Sequence, residues 1–131
     1  IAPLFNFTGQ FIPLSAFAEW EFVKKSKSGS SFYIDKDKIT KDYNYIYFWS
    51  LVDFSEPAFN DDLSAKIYSK VNCDTLEKRD LEFYFYKEPM GNGNEKFVKP
   101  SIKEVTGWRS FSKNVIGETV LLFVCKEGWL K

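Results

Sequence analysis

Ser110 and Lys113 stand three residues apart in SFSK, the spacing at which a lysine amine can serve as base for a serine nucleophile. In a chain with 18 basic residues such a pair arises readily by chance, and the other elements of an SxxK site are missing. The sequence contains no histidine, which removes the Ser-His-Asp and Cys-His pairs, imidazole general bases and the commonest metal ligand. Asp61-Asp62 is a carboxylate pair in a polar loop, a setting that does not define a glycosidase pair. Gly91-Asn92-Gly93 lacks both the longer glycine pattern and the Lys-Ser/Thr of a phosphate loop. Cys73 and Cys125 sit in no CxxC or CxxH spacing, and a four-ligand zinc site would need several carboxylates beside them. The chain is therefore expected to carry no catalytic, cofactor-binding or metal-binding residues and not to be an enzyme.

Charge narrows the partners. Lys plus Arg number 18 and Asp plus Glu number 18, so the formal net charge is zero. Nucleic-acid binding normally shows as a basic excess, and none is present. Aromatic residues make up 19% of the chain, more than a nucleic-acid groove explains without that excess, so they read as sheet core and as anchors of a protein-binding face. Lys78-Arg79 is the basic pair at a hairpin entry and the candidate for contact with a partner, although solvated charge is the commoner role of such pairs.

The elements that would position such a face are short strands. Trp20 to Val23 is a first strand, closed by the polar turn KKSKSGSS. Phe32 and Ile34 share a face of a second, and the lone Ile39 suits a short edge strand. Asn44 to Phe54 is the strongest strand: Tyr45, Tyr47, Trp49 and Leu51 share one face and Ile46, Phe48 and Val52 the other. Apolar residues on both faces imply a central strand covered twice, by a helix on one side and by a loop or partner on the other. Ser64 to Asn72 alternates, with Ala65, Ile67 and Val71 inward. Lys78 to Tyr86 does likewise, Leu81, Phe83 and Phe85 alternating with Asp80, Glu82, Tyr84 and Tyr86, and the two make an antiparallel hairpin. PMGNG at 89–93 is a turn whose glycines can take positive φ. From Asn94 to Ser112 no period persists, so irregular chain is expected. Residues 115–125 are ambiguous: β-branched content suggests a strand, whereas Ile116, Val120, Phe123 and Val124 lie on one helical face. Periodicity favours the helix, with Asn114 as its cap and Gly128 as its stop. The fold class expected is α+β, an antiparallel sheet of five to six strands packed by a C-terminal helix.

Residues 1–18 contain no Asp, Glu, Lys or Arg, and Ala16-Phe17-Ala18 has the small-x-small form of a signal-peptidase site. The segment is expected to be a signal-peptide remnant, with one domain from 19 to 131 and no membrane span in the mature chain. The competing reading makes Phe5, Phe7, Phe11 and Ile12 a strand or arm packed on the domain. In an exported protein two lone cysteines more often pair than stay as buried free thiols, so a bridge is favoured.

The order of segments carries a family likeness. Trp20, then FYID, then FWSLVDFSEP, SAKIYSKVNCD, KRDLEFYFYKEPMGNG and finally PSIKEVTGWRSFSKNVIGETVLLFVC resembles the bacterial surface-adhesin protein E family over residues 20 to 126. The resemblance implies an exported domain whose Cys73–Cys125 disulfide ties a helix over 115–125 to the sheet. It further implies a module that binds a protein partner such as an extracellular-matrix protein, with a homodimer as one form. Glu19 follows Ala18 where a lipid-anchored form would carry a cysteine, so a soluble periplasmic or secreted protein is expected rather than an anchored one. The alternative function is a small exported enzyme or enzyme inhibitor of the cell envelope.

Overall fold

Tyr45–Asp53 form the centre of the molecule as strand β4, alternating between half-buried and buried positions from Tyr45 to Ser50 and continuing with Leu51 and Val52 both buried. The structure is a computed structural model and describes residues 20–99, 107–111 and 115–131. In chain order the strands are β1 (Trp20–Lys25), β2 (Ser31–Asp35), β3 (Thr40–Asp42), β4, β5 (Ser64–Asn72), β6 (Glu77–Tyr86), β7 (Glu95–Val98) and β8 (Arg109–Ser110), followed by helix α1 (Val115–Trp129). They make one antiparallel sheet in the order β1-β2-β4-β5-β6-β7, with β3 on β4 and β8 on β6. The class is α+β as expected, with eight strands rather than five or six. The expectations for residues 1–18, for the domain start at Glu19 and for an Asn114 cap lie outside the described residues.

Two of the additional strands explain the miscount. Glu95 to Val98 are all exposed, and Arg109-Ser110 likewise. These edge strands are held by backbone pairing to β6, so their side chains show no in-out alternation for a sequence pattern to detect. The region expected to be irregular thus contains two strands.

Helix α1 packs on the face of the sheet formed by Ile34, Ile46, Phe48 and Val71. Its buried stripe is Leu121, Val124 and Cys125, at 1%, 0% and 7% exposure, with Val120 and Phe123 partly buried beside them. The expected stripe shifts accordingly, with Leu121 and Cys125 joining it. The backbone of the helix comes nearest to β1, β3 and β4, and from β5 the core cluster receives Val71. It also runs through Gly128 instead of stopping there. A Cβ on Gly128 would come within 2.5 Å of Ile46 Cδ1, so glycine serves there to bring the last turn onto β4. Cys73, directly after β5, is bonded to Cys125 in the third turn of the helix, with Cα atoms 5.9 Å apart. The bridge therefore ties the helix to the end of β5, next to the buried Val71.

Strand β6 contains a bulge. Tyr68 pairs with Glu82, but the next residue, Ser69, pairs with Asp80, so Leu81 is the extra residue. Simple alternation puts Asp80 and Glu82 on one face. The bulge separates them: Glu82 stays with Tyr84 and Tyr86, and Asp80 turns to the helix side, 3% exposed. There it accepts hydrogen bonds from Ser69 Oγ at 2.6 Å and Arg109 Nη2 at 3.1 Å, and pairs with Lys78 Nζ at 3.1 Å.

Candidate functional site

Register assigns every odd-numbered side chain of β4 to the face opposite α1. Across β4 and β5, Tyr47 is opposite Lys70, Trp49 opposite Tyr68 and Leu51 opposite Lys66; across β5 and β6, Lys66 faces Tyr84 and Lys70 faces Arg79; across β6 and β7, Tyr84 faces Phe97. The result is a row of rings crossing four strands. Trp49 lies 4.9 Å from Tyr68 and 5.7 Å from Tyr84, centroid to centroid, and Tyr84 lies 5.0 Å from Phe97. Tyr47 continues the row at 6.1 Å from Tyr68, and Tyr45 stacks on Trp108 at 5.6 Å. Cross-strand aromatic pairs at these distances contribute beyond their buried area and hold the rings in place without a covering layer.

Two lysines are set among the rings. Lys70 Nζ stands 4.7 Å from the Tyr45 ring and 5.5 Å from that of Trp108, and Lys66 Nζ stands 5.0 Å from Tyr86. Arg79 is exposed on the same face. The acidic groups there include Glu82, Glu95, Asp35 and Asp53. Tyr84 donates its hydroxyl to Glu82 at 2.7 Å and Tyr86 donates to Glu95 at 2.5 Å. At one end the Pro89–Gly91 turn is pinned to the sheet: the amide of Met90 donates to Asp53 and that of Gly91 to Ser64 Oγ, which in turn donates to the Glu88 carbonyl. Gly91 adopts φ +72° and Gly93 +83°, as expected for this turn, and Met90 also takes a positive φ of 59°.

A cleft of about 270 Å³ opens in this face. Trp20, Asp35, Lys38, Trp49, Lys66 and Glu95 line it together with Tyr84 and Tyr86. Asp35 is 2% exposed, and its Oδ1 has no hydrogen-bond partner among the described residues. On the helix side a second cavity, about 310 Å³, lies between Phe32, Phe48, Ile67 and the Val120-Leu121 turn of α1, and is mainly apolar.

Three tyrosines of the open face, Tyr68, Tyr84 and Tyr86, hold their protons above the ordinary phenol value. The Tyr86 hydroxyl is pushed well above the usual phenol range, first by burial and then by its bond to Glu95. Tyr68 is raised chiefly by burial, with Tyr47 and Glu82 adding to it, and Tyr84 chiefly by its hydrogen bond to Glu82. Because the folded state holds these protons more tightly than the unfolded chain, their contribution to stability is complete below the ordinary phenol value near 10. It is lost as pH rises through the folded values. The unfolding free energy should therefore fall above about pH 10, and absorbance at 295 nm should show three of the seven tyrosines ionising late. A single common transition near 10 in the folded protein would contradict this.

Of the residues singled out from sequence, Lys78 and Arg79 point to opposite sides. Lys78 faces the helix side and pairs with Asp80, whereas Arg79 joins the open face. Ser110 belongs to β8, and Lys113 is outside the described residues. Asp62 is buried and paired with Lys87 at 3.0 Å. Among the described residues no group of three or more His, Cys, Asp or Glu is placed to hold a metal ion, and no helix is long and apolar enough to cross a membrane. Sequence reasoning placed Tyr45, Tyr47 and Trp49 together but missed Asp35 and the cleft. The signal was present in FYID, where Asp35 follows the buried Ile34 and so falls on the aromatic face.

A family model, Surface-adhesin protein E, matches residues 20–126. Solved structures with the same fold include Haemophilus influenzae protein E in crystal form II, 17% identical, with a TM-score of 0.66, 82% of this chain and 89% of that chain covered. Its selenomethionine form is 19% identical, with a TM-score of 0.61, covering 80% of this chain and 85% of that one. Protein E from non-typeable Haemophilus influenzae is 18% identical with a TM-score of 0.58, covering 80% and 75%. No curated protein sequence matches the chain.

Proposed function

We propose a function from one premise, that this chain belongs to the surface-adhesin protein E family: it is an exported, non-catalytic module that docks a protein partner on the sheet face opposite its helix. One observation carries this reading. The Tyr47–Tyr68–Trp49–Tyr84–Phe97 row, with Lys66 and Lys70 set into it, is a half-buried aromatic surface on the face that the helix leaves open. Tyr, Trp and Arg are the residues that most often dominate protein interfaces, because rigid rings bring large contact area at little entropic cost. Of the Lys78-Arg79 pair, Arg79 is the proposed contact, a reading supported by its exposure on the open face and by the pairing of Lys78 with Asp80. The proposed partner is an extracellular-matrix protein, with a second copy of the chain as the alternative occupant. Residues 1–18 remain proposed as the remnant of the export signal, with the domain from 19 to 131.

The test is a binding isotherm on immobilised matrix proteins, with self-association followed by light scattering. Trp49→Ala and Tyr68→Ala should each weaken binding about tenfold or more, since truncating a central anchor costs at least ~1–2 kcal/mol. Leu122→Ala, on the exposed side of the helix, should leave it unchanged. Equal losses for all three, with folding intact, would reject the open face as the contact surface.

A further inference from the structure

The cleft in the open face has features that a flat protein contact does not require. Asp35 is among its lining residues, is 2% exposed, and has an oxygen, Oδ1, with no hydrogen-bond partner among the described residues. A buried, unpaired carboxylate oxygen is unfavourable unless a donor, from water or from a ligand, reaches it. Beside it stand two indoles, Trp20 and Trp49, and the ammonium of Lys66, which lies 5.0 Å from the Tyr86 ring and 5.8 Å from that of Trp20 and makes no ion pair among the described residues. Glu95 is held in position by the Tyr86 hydroxyl.

The charges of the lining decide the class of ligand. Asp35 and Glu95 oppose Lys38 and Lys66, so the cleft is neutral in sum. A cationic side chain would satisfy Asp35 but meet two ammonium groups, and an anion would meet the buried carboxylate. A neutral ring bearing several hydroxyls fits all the groups together: one hydroxyl donates to the Asp35 carboxylate, another accepts from Lys66, and the C–H face packs on an indole. At about 270 Å³ the space lies just below the ~300–1,000 Å³ of drug-sized sites, which suits one ring and not a chain. We propose that the Trp20–Asp35–Trp49–Lys66 cleft binds a single neutral pyranose ring.

The experiment titrates the isotopically labelled chain with methyl β-galactopyranoside, methyl α-mannopyranoside and the methyl glycoside of N-acetylglucosamine, each beside its free reducing sugar, and follows the tryptophan indole N–H signals. The chain is used alone, so the outcome does not depend on whether the aromatic row contacts a protein. At least one sugar should move the signals of Trp20 and Trp49 but not that of Trp129, with millimolar affinity. Equal response to glycoside and free sugar identifies the non-reducing end of a glycan as the source, and response to the free sugar alone identifies a soluble monosaccharide. Asp35→Leu removes the unpaired carboxylate and should raise the melting temperature while weakening sugar binding at least tenfold, a combination that a purely structural role for Asp35 would not give. Lys66→Met, an open-face variant, should weaken binding with little change in melting temperature. Silence with every sugar would overturn the proposal. So would a response to lysine methyl ester in their place, which would make the cleft a cation site.

Discussion

Replacing Cys73 and Cys125 with alanine is expected to lower the unfolding free energy by roughly 4 kcal/mol, the chain-entropy value for the 52-residue separation that the bridge spans. That is a large share of the ~5–15 kcal/mol typical of a domain. The melting temperature should fall by on the order of 15 °C for a domain of this size. The loss should be uneven. A helix of 15 residues is marginal by itself in water, and α1 rests on β1, β3 and β4, while the bridge is its tie to the end of β5. Amide exchange should therefore accelerate first from Leu121 to Trp129, ahead of β4 and β5, where backbone pairing is continuous over nine residues. A melting temperature within two or three degrees of the parent, or exchange rising equally in β4, would show that packing alone holds the helix.

The second large effect lies at Asp80. Alanine there leaves the Lys78 ammonium, whose side chain is 16% exposed, without the one carboxylate it pairs with among the described residues, and leaves Ser69 Oγ without its acceptor. Removing one partner of a largely buried pair is expected to destabilise by about 3 kcal/mol, read as a shift in the urea midpoint. Arg109, with a side chain 46% exposed, can turn to water, so Arg109→Ala should cost under about 1 kcal/mol. The double change Lys78→Met with Asp80→Leu removes both charges and should recover most of the loss, because an apolar pair needs no compensation. Asp80→Ala within about 0.5 kcal/mol of the parent would contradict the assigned burial.

Asp80 also marks the limit of what the sequence discloses. Period-2 alternation was enough to place Tyr45, Tyr47 and Trp49 on one face of β4 and Ile46 and Phe48 on the other, because that strand is regular and central. The same rule applied to KRDLEFYFY groups Asp80 with Glu82, since a single extra residue at Leu81 leaves no compositional trace. Gly128 reads as a helix stop by its type, but the helix runs through it, and the close approach to Ile46 that uses its missing side chain is a tertiary fact. β7 and β8 were invisible because exposed edge strands are defined by backbone hydrogen bonds, not by side-chain burial. The cleft was hidden for a related reason: Trp20, Asp35, Trp49 and Lys66 come from four strands, and only the sheet order places them side by side.

The face opposite α1 is the proposed contact with the partner. Hydroxyl-radical footprinting of the chain, free and bound to the matrix protein it binds best, tests that contact most directly, because it reads solvent access at individual aromatic and aliphatic side chains. Binding should protect Tyr47, Trp49, Tyr68, Tyr84 and Phe97, and leave Leu122, Trp129 and Leu130 on the helix side as reactive as before. Protection of Leu122 and Trp129 with unchanged reactivity at Trp49 and Tyr68 would contradict it.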